Sequence, residues 1–132
     1  MRKQAVKEYL EILGLAIDNS PKSMIVKQAA TLGDLLLRLF DLRRIQLTPP
    51  TEDSYSADEI EEVEDGINES AIAIVYKLND ATFRPLFSRI LEWTSLSHLK
   101  QDKDTATKAI LHRQATWYRF LLKFFDTLKV FP

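Results

Sequence analysis

Asn79-Asp80-Ala81-Thr82-Phe83-Arg84-Pro85-Leu86-Phe87-Ser88-Arg89-Ile90-Leu91-Glu92-Trp93 is the stretch around which the fold is read. At about 100° per residue, Phe83, Leu86, Phe87, Ile90, Leu91, Trp93 and Thr94 fall on one arc of roughly 160°. Such an arc predicts a core-facing helix that ends near residues 95–97. Asp80 or Thr82 is the expected N-cap. Pro85 then falls in or just after the first turn, where a missing backbone N–H costs least.

Toward the N-terminus the same period recurs. Val6, Tyr9, Leu10, Leu13, Ala16 and Ile17 predict an amphipathic helix over about 2–18, broken by Asn19-Ser20-Pro21. Ser20 as N-cap and Pro21 at the first helical position open a second helix, about 21–46. It is apolar around roughly 240° of its circumference, leaving a polar strip of Lys27, Thr31, Asp34, Arg38 and Asp41, so it needs cover on more than one side. Gly33 sits within the apolar part, which fits either a close helix approach or a tolerated helix glycine. A polar connector, 47–56, carries Pro49 and Pro50 and is expected to be flexible and exposed.

Ser56-Ala57-Asp58-Glu59 has the form of a capping box, and it opens a third helix over 57–78. Acids following Ser56 also suit an acidophilic kinase, but capping explains both Ser56 and Glu59 without an enzyme. The run Ala71-Ile72-Ala73-Ile74-Val75-Tyr76 has strand character. Ile60, Val63, Ile67, Ala71, Ile74 and Leu78 nevertheless keep one helical face, and no partner strand is visible. After a polar loop over 98–104, a final helix over about 104–130 has an apolar arc of roughly 200°. That arc holds Ile110, Leu111, Trp117, Tyr118, Phe120, Leu121, Leu122, Phe124, Phe125 and Leu128, and it wants neighbours on two sides.

The chain has 132 residues, 45% hydrophobic and 28% charged, enough for one domain (1–132) with a core. Only 3 Gly and 5 Pro favour helices over a turn-rich β fold. The absence of Cys excludes disulfides, thiol catalysis and zinc-thiolate sites. No run of about 18 apolar residues is present, so no membrane span is expected. The net charge of −1 conceals a segregation: between Ile45 and Tyr76 stand nine acids and no Lys or Arg, whereas from Arg84 to Lys129 nine bases face four acids.

Catalytic groups are not assembled. His98 and His112 lack metal-ligand spacing, the glycines are isolated, and the acids of 58–69 do not follow a calcium-loop order. No enzyme activity, cofactor, metal or small-molecule substrate is expected. Lys108, His112, Arg119 and Lys123 fall within an arc of roughly 60° on the last helix. This cationic stripe suits an ordinary solvated face, RNA phosphates, an acidic partner, or the acidic stretch of the same chain. Arg84 and Arg89 flank the apolar arc of the fourth helix, where an arginine pairs with a carboxylate or lies over an aromatic ring. Arg89 and Trp93 have the spacing for the latter.

The first two helices occupy about 45 residues and the next two about 41, the helix-pair period of HEAT and armadillo arrays. The fold expected is all-α: a HEAT-like α-solenoid fragment of about five helices, two helical hairpins and a long closing helix. A free-standing five-helix bundle is the structural alternative. In function this predicts a non-catalytic domain that offers surfaces to partners, either as part of a repeat array or as a self-contained adaptor for a peptide or helix.

Leu78 to Phe87, the later Trp93, Arg113 to Leu121 and Leu128 to Phe131 together resemble one family, as does Phe40-Asp41-Leu42-Arg43. These residues are similar to the C-terminal region of the large HEAT-repeat, small-nucleolar-RNA-associated proteins of the UtpA complex, over roughly 29–131. The resemblance implies a nucleolar scaffold of the small-subunit processome, needed for pre-rRNA processing. It implies partners among UtpA subunits or preceding HEAT repeats, with pre-ribosomal RNA contacted indirectly if at all. It also implies an excised repeat, with exposed apolar surface at Trp117, Phe124 or Phe131, and that Arg84 and Pro85 matter to the family. Arg84 and Arg89 are interface candidates beside those aromatics.

Overall fold

The computed structural model describes residues 3–48, 50–95 and 103–128. Among these it contains seven helices and no strand: α1 (Lys3–Asn19), α2 (Lys22–Lys27), α3 (Ala29–Phe40), α4 (Leu42–Leu47), α5 (Ala57–Lys77), α6 (Asp80–Ser95) and α7 (Lys103–Leu128). The all-α helical-repeat reading holds, and 71–76 is helix.

The second helix expected from the sequence is three. Breaks fall at Gln28 and Asp41, whose ψ angles of 14° and 2° leave the helical range. At Asp41 the N–H tightens onto the Arg38 carbonyl at 3.3 Å. These bends solve the covering problem posed by an almost wholly apolar segment: α2 packs on α5, α3 on α5, α6 and α7, and α4 on α7 and α5. A straight helix would present its broad apolar surface to fewer neighbours.

Between the two helical units, equivalent helices stack: α1 packs most heavily on α5, and α3 on α6. Gly33 sits at the second of these contacts. A Cβ there would lie 3.1 Å from Leu86 Cδ1 and 2.8 Å from Arg89 Nη1, so the close-approach reading is the one the fold uses. The core gathers Leu36, Phe40, Val63, Ile67, Ile74, Leu86, Ile90 and Trp93 with Trp117 and Phe120 of α7. Phe40 binds the halves together, 6.3 Å from Trp93 and 5.5 Å from Phe120 between ring centroids.

Helix starts follow local chemistry, with two corrections. Ser56 and Glu59 form the expected box: Glu59 N–H donates to Ser56 Oγ at 3.2 Å, and Ser56 N–H to Glu59 Oε1 at 3.0 Å. Neither Asp80 nor Thr82 caps α6. Asn79 does, its Oδ1 accepting from Thr82 N–H at 2.9 Å while Thr82 Oγ1 accepts from Asn79 N–H at 3.1 Å. Pro85 is therefore inside the helix and leaves the Ala81 carbonyl without its usual donor. Ser20 does not cap α2 either. Its hydroxyl turns back to the Ala16 carbonyl at 2.6 Å, and Pro21 holds the cap position.

Two apolar arcs are only partly buried. On α6, Leu91 lies at the arc's margin and is exposed. On α7, Trp117 and Phe120 are buried, whereas Leu111, Tyr118, Leu122, Phe125 and Leu128 face outward. The connector between α4 and α5 is held at its ends by Gln46, whose Oε1 accepts from Tyr55 N–H at 2.7 Å and whose carbonyl accepts from Ser54 Oγ at 2.7 Å.

Candidate functional site

The most concentrated polar chemistry lies where α4, α5 and α7 meet, in two adjoining buried clusters. In the first, the bend after α3 points Asp41 inward. Its carboxylate accepts from Arg113 Nε at 2.9 Å and Nη2 at 3.3 Å, and from Arg44 at 2.8 and 2.6 Å. Arg113 also donates to the Trp93 carbonyl, and its guanidinium lies over the Trp93 ring. In the second cluster Glu64 of α5 accepts from Arg43 at 2.6 and 3.2 Å, from Thr116 Oγ1 at 2.8 Å, and from Arg119.

Burial pushes the Glu64 carboxyl up, but the hydrogen bonds from Arg43, Thr116 and Arg119 outweigh it and hold the group below the usual glutamate value. Hydrogen bonding to Glu64 correspondingly raises Arg43. Both carboxylates are saturated with donors, the condition under which a buried charge is tolerated. A general base needs a lone pair turned toward a substrate, and neither cluster offers one. Among the described residues no three His, Cys, Asp or Glu side chains are grouped to hold a metal ion. Nor is any described helix long and apolar enough to cross a membrane.

Half of the cationic stripe is turned onto the acidic helix of its own chain, one of the alternatives left open by the sequence. Arg119 bridges Glu64 and Asp65, and Lys123 reaches Glu69 at 3.5 Å. Lys108 stays exposed. His112 is half-buried, and burial, with the positive charge of Arg43, pushes its pKa down.

The interface candidates separate as well. Arg84 pairs with Asp80 at 3.0 Å on open surface, a contact worth little. Arg89 does not lie over Trp93. It joins Asp34 and the Ala30 carbonyl across the α3–α6 contact, and the arginine over Trp93 is Arg113. Trp117, expected to be exposed, is 5% exposed, packed edge-on against Phe87 at 5.7 Å and stacked on Phe120 at 5.3 Å. Phe124 is half-buried between Phe120 and Tyr76. Phe131 and His98 lie outside the described residues.

Sequence reasoning missed Asp41, Glu64 and Arg113 as a set. One signal was available: by the 100° rule Arg113 falls in the middle of the buried arc of α7, between Trp117 and Phe120, where a charge requires a buried partner.

The sequence profile of the BP28CT (NUC211) domain matches residues 24–131, a span that contains both charge clusters. The chain is similar to proteins called U3 small nucleolar RNA-associated protein 10. It is 43% identical to that of Aspergillus niger over 125 residues, covering 95% of this chain and 7% of the relative. It is 40% identical to that of Aspergillus oryzae over 126 residues, and 40% identical to that of Coccidioides immitis over 126 residues, each covering 96% of this chain and 7% of the relative. The chain thus spans about 7% of the length of these curated relatives. No solved structure matches it. With the profile running from α2 through the whole of α7, the chain belongs to the BP28CT (NUC211) domain family.

Proposed function

We propose that this chain is a non-catalytic helical-repeat scaffold of ribosome biogenesis, a C-terminal piece of a nucleolar UtpA subunit that serves small-subunit processome assembly and pre-rRNA processing. The observation that carries this reading is an uncharged apolar stripe along the outer side of α7. Leu111, Tyr118, Leu122 and Phe125 are 55–67% exposed and share an arc of about 60°. Such a face suits the packing of further helices. This chain matches only 7% of the length of the relative from Aspergillus niger, and in this reading the occupant is further helical repeats of a long parent chain.

Contact with pre-ribosomal RNA is indirect in this reading, because Arg119 and Lys123 of the stripe are engaged with α5. Nuclear and nucleolar residence follows from the same proposal.

The test replaces Tyr118 and Leu122 by serine in the full-length protein carrying this sequence. Co-purification of processome components and pre-rRNA processing should fall, while the domain on its own keeps its helicity, since both side chains are exposed. Unchanged assembly and processing would overturn the proposal.

A further inference from the structure

We infer that the groove between α1 and α5 is a docking site for a basic amphipathic helix of a partner protein. The groove has a volume of about 670 Å³ and runs from Lys7 to Asp18 along α1, roughly 16 Å at the rise of an α-helix. That length accommodates about three helical turns.

Its floor is apolar and low. Leu10 closes the bottom against α5, its Cδ1 3.2 Å from where a Cβ on Gly66 would stand. Above it, Gly14 has nothing within 4 Å of the position a Cβ would take, so the space over α1 is open to an incoming backbone. Leu15, 62% exposed, forms an apolar wall with no cover from the chain itself. This combination of a small floor and one bulky wall is what a helix laid into a groove requires.

The rim specifies charge. Five carboxylates line the groove, Glu11, Asp18, Glu62, Asp65 and Glu69, against a single base, Lys7. Glu62 is engaged by Lys3 and Lys7. Asp65 and Glu69 are approached from the α7 side by Arg119 and Lys123, yet their side chains stay 57% and 73% exposed. Glu11 and Asp18 have no ion-pair partner among the described residues, and they stand two turns apart on one edge. An occupant with Lys or Arg on both flanks answers these charges, and electrostatic complementarity of this kind selects the partner and speeds its encounter. The anionic rim repels nucleic-acid phosphates. The apolar stripe of Leu111, Tyr118, Leu122 and Phe125 on α7 is itself uncharged, so a second copy docking by that stripe brings no base of the stripe to Glu11 and Asp18.

The test uses two synthetic helical peptides of about four turns. Each carries Ala and Leu on one face; one has Lys on both flanks, the other Glu. Calorimetric titration should show that the Lys peptide binds, with affinity falling as salt rises, and that the Glu peptide does not. Gly14→Leu should fill the groove and weaken binding at least about tenfold, with helicity and melting temperature retained or raised because the site is open. Glu11→Lys with Asp18→Lys should weaken binding likewise, and stands as the second variant should Gly14→Leu disturb folding. The inference is overturned if the Lys peptide fails to bind, if both variants bind it as the parent does, or if the Glu peptide binds equally. Self-association that Gly14→Leu abolishes would also overturn it, assigning the groove to a second copy.

Discussion

Arg113 holds Trp93 twice: its guanidinium carbon lies 4.8 Å from the indole centroid, and its Nη1 donates to the Trp93 carbonyl oxygen at 3.0 Å. Its Nε and Nη2 meanwhile donate to Asp41, so one side chain of α7 fastens both the end of α6 and the bend after α3.

Arg113→Met should therefore destabilise the chain by about 3–5 kcal/mol, because Asp41 is left buried with Arg44 alone. Arg113→Lys should recover only part, since an ammonium cannot reproduce the fork or lie flat on the ring. Urea denaturation provides the measurement. Pairing Arg113→Met with Asp41→Asn should cost less than the two single changes added together. A loss below about 1 kcal/mol for Arg113→Met would show that the cluster contributes little.

Acid should act in two stages. Burial keeps His112 neutral below its ordinary value of 6.5, so the unfolded chain takes up that proton first and stability begins to fall as pH drops past 6.5. Glu64 is held below its ordinary 4.5, so its contribution is complete above that value and is lost as pH falls through the folded value. Melting temperature followed from pH 7 downward should show both limbs. His112→Gln should flatten the upper one. Glu64→Gln should blunt the lower one without abolishing it, since surface Glu59 and Glu62 are also lowered, by Ser56 and by Lys7 and Lys3. An acid limb unchanged in Glu64→Gln would refute the assignment.

Gly14 and Gly33 should answer the same substitution with opposite signs. Gly14→Ala enters open space and should stabilise by about 0.5–1 kcal/mol through helix propensity. Gly33→Ala meets Leu86 Cδ1 at 3.1 Å and Arg89 Nη1 at 2.8 Å. The arginine tip can swing aside at the expense of its Asp34 contact, but Leu86 is held in the core, so the propensity gain should be cancelled or reversed. Thermal melts of the two variants side by side decide this.

Lys77 terminates α1 from a distance: its Nζ donates to the carbonyls of Ile17 at 2.5 Å, Asp18 at 3.0 Å and Ser20 at 2.7 Å. A cation at a helix C-terminus satisfies orphan acceptors and complements the dipole. Lys77→Met should cost about 1–2 kcal/mol and raise hydrogen exchange at the end of α1, leaving the middle of α5 protected. Equal exchange in both proteins would mean that the last turn of α1 is secured by other contacts.

The helices themselves were legible in the chain because a helix is specified locally, by apolar residues recurring every three to four positions and by caps such as Ser56 with Glu59. Local reading failed where two caps competed, as at Asn79 against Asp80 and Thr82, and where one apolar surface was wide enough to be read as a single straight helix. The bends at Gln28 and Asp41 answer to α5, α6 and α7, which lie elsewhere in the sequence. The pairing of charges is likewise non-local: Arg113 and Asp41 are 72 residues apart, and their spacing along the chain carries no information about how α4 and α7 cross. Periodicity thus determined which segments are helical and which faces are apolar. Only the packing of those faces decided that Trp117 is covered, that Arg119 and Lys123 turn to α5, and that Leu111, Tyr118, Leu122 and Phe125 are left outside, because burial depends on the surfaces that meet in space.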